Sequence, residues 1–299
     1  MDGFIVIDKP SGMTSHDVVN TVRRITGRKR VGHTGTLDPF ATGVLPVALG
    51  EATKAIPYLD EGCKEYSAVM RLGEITDTQD CTGEVIDSRE WPNVSPDALS
   101  ELFSKFKGRT SQIPPMFSAL KHKGVPLYKL ARKGEDVSRK PRDIEIFSLL
   151  IDEVSLPEIG FTVKCSRGTY VRTLAHDIGG KLGCGAHLVK LRRTASGPFT
   201  LNEAQPLDAL AELIQNEGED NIIIPSYEAL GHLIDFQVDE SVRERVSHGI
   251  APEINDLTPL TGIVEQGTKV RISFAGRLIA VAQVVEKDRH ILKLLRVFN

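Results

Sequence analysis

Cysteine is scarce in this chain: Cys63, Cys81, Cys165 and Cys184 are scattered over 299 positions, with no Cys-x-x-Cys pair among them. That excludes a secreted scaffold held by disulfides and points to reduced thiols in a cytoplasmic protein. Long apolar runs are lacking as well. No stretch approaches the roughly 18 apolar residues of a membrane span, and Asp8 and Lys9 interrupt the N-terminus before a signal-peptide core can form. Neither export nor a membrane partner is expected.

Cofactor signatures are also missing. Gly27 and Gly32 have the glycine spacing of a phosphate-binding P-loop, but His33 stands where the lysine belongs, and no Gly-x-Gly-x-x-Gly follows a strand. None of the eight histidines is in His-Glu-x-x-His spacing, and Cys184 with His187 offers only two ligands. No metal and no cofactor is expected. Internal repeats and low-complexity tracts are absent. What remains is ordinary globular material, 40% hydrophobic and 26% charged with a formal charge of −3, enough chain for one or two domains with a large core.

The near-neutral total hides a division. Residues 105–142 carry eleven Lys and Arg against Glu135 and Asp136, a balance of +9, and residues 162–199 carry seven against Asp177, or +6. Residues 201–262 hold thirteen acids against Arg243 and Arg245, or −11. Two basic regions can merge into one cationic surface, for which a phosphate backbone is the commonest ligand. A merely solvated charged face is the competing reading.

Phe4 to Ile7 reads as a strand halted by Asp8-Lys9-Pro10-Ser11-Gly12. Ser15 is a plausible N-cap for a helix carrying Val18, Val19, Val22 and Ile25 as far as Gly27. Residues 31–50 are glycine-punctuated and then apolar. Strands are expected at 66–72, 144–151 and 161–165, and helices at 96–107 and 171–182. Residues 110–142 have little periodicity and read as a long basic excursion. Lys269–Phe274, Leu278–Val285 and Ile291–Phe298 read as three strands joined at Ala275-Gly276-Arg277 and Lys287-Asp288. The pattern is α+β, a larger mixed domain followed by a small β-barrel-like one.

The segment Gly32-His33-Thr34-Gly35-Thr36-Leu37-Asp38-Pro39 is the most informative. Gly35 permits a turn and Pro39 restricts Asp38 to extended backbone, so a carboxylate is presented from a stiff loop. Such a group is a candidate nucleophile or base, and equally a turn aspartate capping its own backbone.

This segment resembles the central motif of the TruB family of pseudouridine synthases, enzymes that isomerise the T-loop uridine of tRNA. Five further stretches match in the family's order: Asp8-Lys9-Pro10-Ser11-Gly12-Met13-Thr14-Ser15; Lys64-Glu65-Tyr66 with Leu72-Gly73 and Thr76-Asp77-Thr78-Gln79-Asp80; Pro114-Pro115-Met116-Phe117-Ser118-Ala119 with Lys121, Tyr128 and Arg132; Cys165-Ser166-Arg167-Gly168-Thr169-Tyr170-Val171-Arg172; and Leu191-Arg192-Arg193-Thr194. The resemblance implies a catalytic domain over 1–230, a largely antiparallel mixed sheet flanked by helices. An RNA-gripping thumb would be inserted at about 110–142, and a PUA-like RNA-binding domain would follow over 235–299.

By the same resemblance, Asp38 would act on the sugar carbon C1′ and Arg172 would pair with Asp38 to keep it charged. Tyr66 would stack on the uracil and take part in removing the C5 proton. Tyr170 and Leu191 would complete an apolar pocket, and His33 would fill the space left by the flipped nucleotide. Lys9, Asp80, Lys121, Arg132, Arg192 and Arg193 would lie on the substrate side, with Arg23, Arg24, Arg28, Lys29 and Arg30 as further phosphate contacts. The implied partner is the T-arm of tRNA, with no obligate protein partner and a monomer by default. The competing reading is an RNA-binding or RNA-folding protein that does not depend on Asp38. A guide-RNA-dependent relative is disfavoured by the long basic insertion.

Overall fold

The computed structural model describes residues 2–60, 62–252, 257–259, 265–286 and 291–298. It divides into two compact units, one of residues 1–38, 44–60 and 197–299, the other of 39–43 and 61–196. The expected boundary near 230–235 follows the chain. The spatial division instead groups the C-terminal hundred residues with most of the first sixty: Phe4, Val6 and Val44 share an apolar cluster with Phe199, Leu230, Val281 and Phe298, while Phe236, Val242, Val270, Ile272 and Leu292 form a second cluster of C-terminal residues alone.

In the first unit, Gly3–Lys9 is a strand buried on both faces, and it reads accordingly as a continuous apolar run rather than an alternating one. It pairs in parallel with Gln205–Pro206 and antiparallel with Ile224–Pro225. Val31–His33 pairs antiparallel with the end of Thr42–Leu49, His33 opposite Val47. The helix Ser15–Thr26 buries Val18, Val19 and Val22 and closes on Gly27, whose φ of 65° is left-handed. Its N-cap is Thr14 rather than Ser15. The Thr14 side chain accepts from the Asp17 N–H, and the Asp17 carboxylate accepts from the Thr14 N–H, a reciprocal capping box.

The C-terminal strands are close to the expected ones: Lys269–Phe274, Arg277–Glu286 and Ile291–Val297, joined at Ala275-Gly276 by two left-handed residues. The expected turn at Lys287-Asp288 lies outside the described residues. Two strands with no counterpart in the sequence reading complete this sheet: Ile234–Gln237, parallel to Lys269–Phe274, and Thr258–Pro259. Val281 and Phe298 belong to the same apolar cluster as Phe4, Val6, Val44 and Phe199.

The second unit is built on an antiparallel series in the order Ala186–Ser196, Cys63–Leu72, Glu158–Ser166, Arg142–Ser155 and Gly108–Gln112. Thr42 and Gly43 add a parallel pairing with Arg192 and Arg193, which makes the sheet mixed. Gly43 is indispensable at that contact: its φ is 98°, and a Cβ there would lie 2.2 Å from the Arg193 carbonyl oxygen. The helix Val171–Lys181 crosses the Ala186–Ser196 strand closely, since a Cβ on Gly179 would meet the Ala186 nitrogen at 2.3 Å. The excursion expected at 110–142 leaves the sheet at Gln112 and returns at Arg142, its register partner. It holds only a small hairpin, Lys121–His122 with Val125–Pro126, and the short helix Leu127–Ala131.

Candidate active site

Asp38 is carried by the loop between Val31–His33 and Thr42–Leu49 and is partly exposed. The Thr34 N–H donates to the Pro46 carbonyl (3.1 Å), extending the strand pairing one residue into the loop. Further along, buried Ser15 holds Leu37 by both backbone groups: the Leu37 N–H donates to Ser15 Oγ (2.9 Å) and Ser15 Oγ lies 3.2 Å from the Leu37 carbonyl. One hydroxyl therefore fixes the residue immediately before Asp38. Pro39 restricts the backbone on the other side. A carboxylate presented so stiffly can be aimed at a reacting atom with little reorganisation.

His33 ends its strand half-buried. Lys9 is wholly buried and its Nζ donates to the Pro10 carbonyl (2.8 Å). Two of the five residues of the expected phosphate cluster at 23–30 are committed to neighbouring acids: Arg28 pairs with Glu219 (2.7 Å) and Arg30 with Glu51 (2.8 Å). Arg23 donates to Asn20 and the Val31 carbonyl. A guanidinium already paired with a carboxylate has less to gain from a phosphate, so this stretch is a weaker contact surface than its composition suggests.

In the second unit, Tyr66 and Leu191 share one buried face. Leu191 is opposite Ala68 and Arg193 is opposite Tyr66 across the strand pair, and residues two apart on a strand point the same way. Arg193 is on this same face and fully buried, so its guanidinium is not on the outer surface where a phosphate backbone would reach it. Arg192 points to the other side, half-buried, with Nη1 3.4 Å from Thr42 Oγ1. Tyr170 is the N-cap residue of Val171–Lys181.

Arg172 lies in the first turn of that helix and is buried together with Asp80 (each 3% exposed). Its Nη1 donates to Asp80 Oδ2 (3.1 Å) and the Thr78 carbonyl (2.8 Å), and its Nη2 donates to the Phe117 carbonyl (2.8 Å). Asp80 is itself held: Oδ1 accepts from the Thr82 N–H (2.9 Å), the Thr82 hydroxyl (2.5 Å) and the Thr78 hydroxyl (2.8 Å). Gln79, at the left-handed φ of 63°, accepts on its side chain from the Thr173 hydroxyl and on its carbonyl from the Leu188 N–H. The Thr-Asp-Thr-Gln-Asp stretch is thus a knot that grips the first turn of the Arg172 helix. Its Asp80 is expected on the substrate side, but it lies inside this knot.

Beside this face Cys165 pairs opposite Lys64 in the strand register, and burial pushes its thiol up to about 12. It is therefore a neutral, packing thiol. Lys121 is exposed in the small hairpin of the insertion, and Arg132 is exposed with its guanidinium 5.5 Å from the Tyr128 ring centre. Both are available to phosphates or exposed bases. Gln112 and Thr82 escaped the sequence reading, and Thr78 entered it only as part of a motif, because nothing in their spacing marks a side-chain amide that holds a distant backbone or hydroxyls that hold the Asp80 carboxylate. Among the described residues no group of three or more His, Cys, Asp or Glu is placed to hold a metal, and no helix is long and apolar enough to cross a membrane.

Residues 23–171 match the family model described as TruB family pseudouridylate synthase (N terminal domain), and residues 172–235 match that of the tRNA pseudouridylate synthase B C-terminal domain. The tRNA pseudouridine synthase B of Geotalea uraniireducens is 58% identical, covering 100% of this chain and 98% of its own. That of Geobacter sulfurreducens is 53% identical, with 100% of both chains covered. Among solved structures, a chain of a Cbf5–Nop10–Gar1 complex superposes with a TM-score of 0.78 at 30% identity, over 99% of this chain and 85% of that one. Family-model matches along most of the chain and majority identity over its full length identify it as a member of the TruB family of pseudouridylate synthases.

Proposed function

We propose that this protein converts the T-loop uridine of tRNA, position 55, into pseudouridine. The observation that carries this reading is majority identity, end to end, with proteins named tRNA pseudouridine synthase B, together with an aspartate on a loop pinned by Ser15. The reaction breaks the N1–C1′ bond, turns the uracil, and joins C5 to the same sugar carbon. The C5 proton leaves and N1 gains one, so atoms balance without an oxidant, a reductant or water.

In this reading the Asp38 carboxylate attacks C1′ or assists departure of the base from the sugar, as carboxylates do in glycosidases. Arg172 is the partner charge of that carboxylate. Tyr66 stacks on the uracil, and its hydroxyl takes part in removal of the C5 proton, with Tyr170 and Leu191 as apolar walls. His33 fills the gap left by the extruded nucleotide, whose unstacking costs about a few kcal/mol. Lys121 and Arg132 of the insertion grip the RNA, and the C-terminal strands form a PUA-like domain that contacts it. The protein acts as a monomer in the cytoplasm.

The test is tritium release from a T-arm RNA labelled at uracil C5, with binding followed in parallel. Wild type releases label, while Asp38→Asn releases none and binds equally. Tight binding by wild type with no release would overturn the reading and leave an RNA-binding factor.

A further inference from the structure

The Val171–Lys181 helix starts without a side-chain cap of its own. Instead, Gln112 reaches its N-cap residue from another element. The Tyr170 N–H donates to Gln112 Oε1 (2.8 Å) and Gln112 Nε2 donates to the Tyr170 carbonyl (3.1 Å). The side-chain amide thus pairs with a backbone peptide as a neighbouring strand would, using both of its polar ends. Gln112 is 5% exposed, so each of those bonds is made where water offers no substitute.

Gln112 is also the last residue of its strand before the basic insertion, opposite Arg142 where the insertion returns. Five residues on, the Phe117 carbonyl accepts from Arg172. The base of the insertion therefore touches the start of the helix twice, by the residue-112 side chain on the residue-170 backbone and by the residue-117 backbone on the residue-172 side chain.

We propose that Gln112 is a positioning residue for the reaction: it fixes Tyr170 and the first turn bearing Arg172, and it ties their placement to the base of the RNA-gripping insertion. The inference rests on the pseudouridine reading above. Gln112 touches no reacting atom. Its effect runs through Tyr170 and Arg172, so it governs the rate after binding and not the affinity.

Two substitutions separate the alternatives. Gln112→Ala removes both bonds. Gln112→Glu keeps the size and the acceptor for the Tyr170 N–H, but sets a carboxylate oxygen against the Tyr170 carbonyl. Under single turnover at saturating C5-tritiated T-arm RNA, each variant is expected to release label at least about tenfold more slowly than wild type, since small misplacement at a site is costly. The RNA dissociation constant is expected to stay within about threefold, and exchange of the Tyr170 amide hydrogen to accelerate. Phe103→Leu, at an edge-on contact with Phe161, serves as the stability control: it lowers the unfolding midpoint and leaves the rate unchanged. A loss confined to affinity, rates equal to wild type in both variants, or a matching rate loss in Phe103→Leu would overturn the proposal. A wild type that binds without releasing label would overturn the pseudouridine reading itself, and the positioning role with it.

Discussion

Arg172 and Asp80 form a buried ion pair, Nη1 to Oδ2 at 3.1 Å, in which the acid belongs to a tight loop and the base to the first turn of a helix. Burying two charges is costly, and the cost is offset only where both are fully hydrogen-bonded. Here the guanidinium also donates to the Thr78 and Phe117 carbonyls, and Asp80 accepts from Thr78 and Thr82. The pair serves geometry more than stability, holding a guanidinium at the start of the helix with little freedom to move.

Asp80→Ala is expected to destabilise the protein by about 3–5 kcal/mol, because removing one partner leaves a buried charge uncompensated. Urea unfolding measures the loss. A loss below about 1 kcal/mol would show that Asp80 is not the principal counter-charge of Arg172.

Ser15→Ala leaves the Leu37 N–H without its acceptor in a buried setting, an expected cost of about 1–3 kcal/mol. On the proposed function it also loosens the residue before Asp38. Tritium release should slow while RNA binding is retained. Unchanged release would place the stiffness of the loop elsewhere.

Gly43→Ala forces a left-handed φ on an L-residue and drives a Cβ into the Arg193 carbonyl. The φ strain alone costs about 1–3 kcal/mol, and the clash is with backbone that cannot rotate away. The variant is expected to unfold at markedly lower urea or to fail to accumulate as soluble protein. A wild-type midpoint would contradict the close pairing of residue 43 with Arg193.

Cys165 supplies a pH-dependent prediction. Its thiol ionises near 9 in the unfolded chain and at about 12 in the fold. The raised folded value means that the contribution is fully present below pH 9 and is lost as pH rises from 9 towards 12, when only the unfolded chain releases the proton. The stability advantage of wild type over Cys165→Ala should narrow by about 1 kcal/mol between pH 8 and pH 10. A constant difference would contradict a buried, neutral thiol.

The elements were legible where one apolar pattern dominates. Phe4 to Ile7 and the Val18, Val19, Val22 stripe are buried as their periodicity requires. The N-cap is Thr14 and not its neighbour Ser15: both are good caps, and only the box with Asp17 distinguishes them. Ile234–Gln237 carries a short mixed pattern that becomes a strand by pairing with Lys269–Phe274, a partner more than thirty positions away. Composition likewise marked 23–30 as basic but could not show that Glu219 and Glu51 lie beside Arg28 and Arg30.

Sequence alone determined the chemistry on offer: an aspartate stiffened by the proline after it, a tyrosine strand, an arginine opening a helix, a basic insertion, and the family those motifs resemble. These are properties of local order, and local order survives in the string of letters. The tertiary structure alone decided which charges are buried, that Arg172 is gripped by Asp80 and Phe117, that Arg193 is buried opposite Tyr66, and that Gln112 holds Tyr170. Each of those depends on residues far apart in the chain meeting where water is excluded, and exclusion of water belongs to the packed fold and not to any one segment of it.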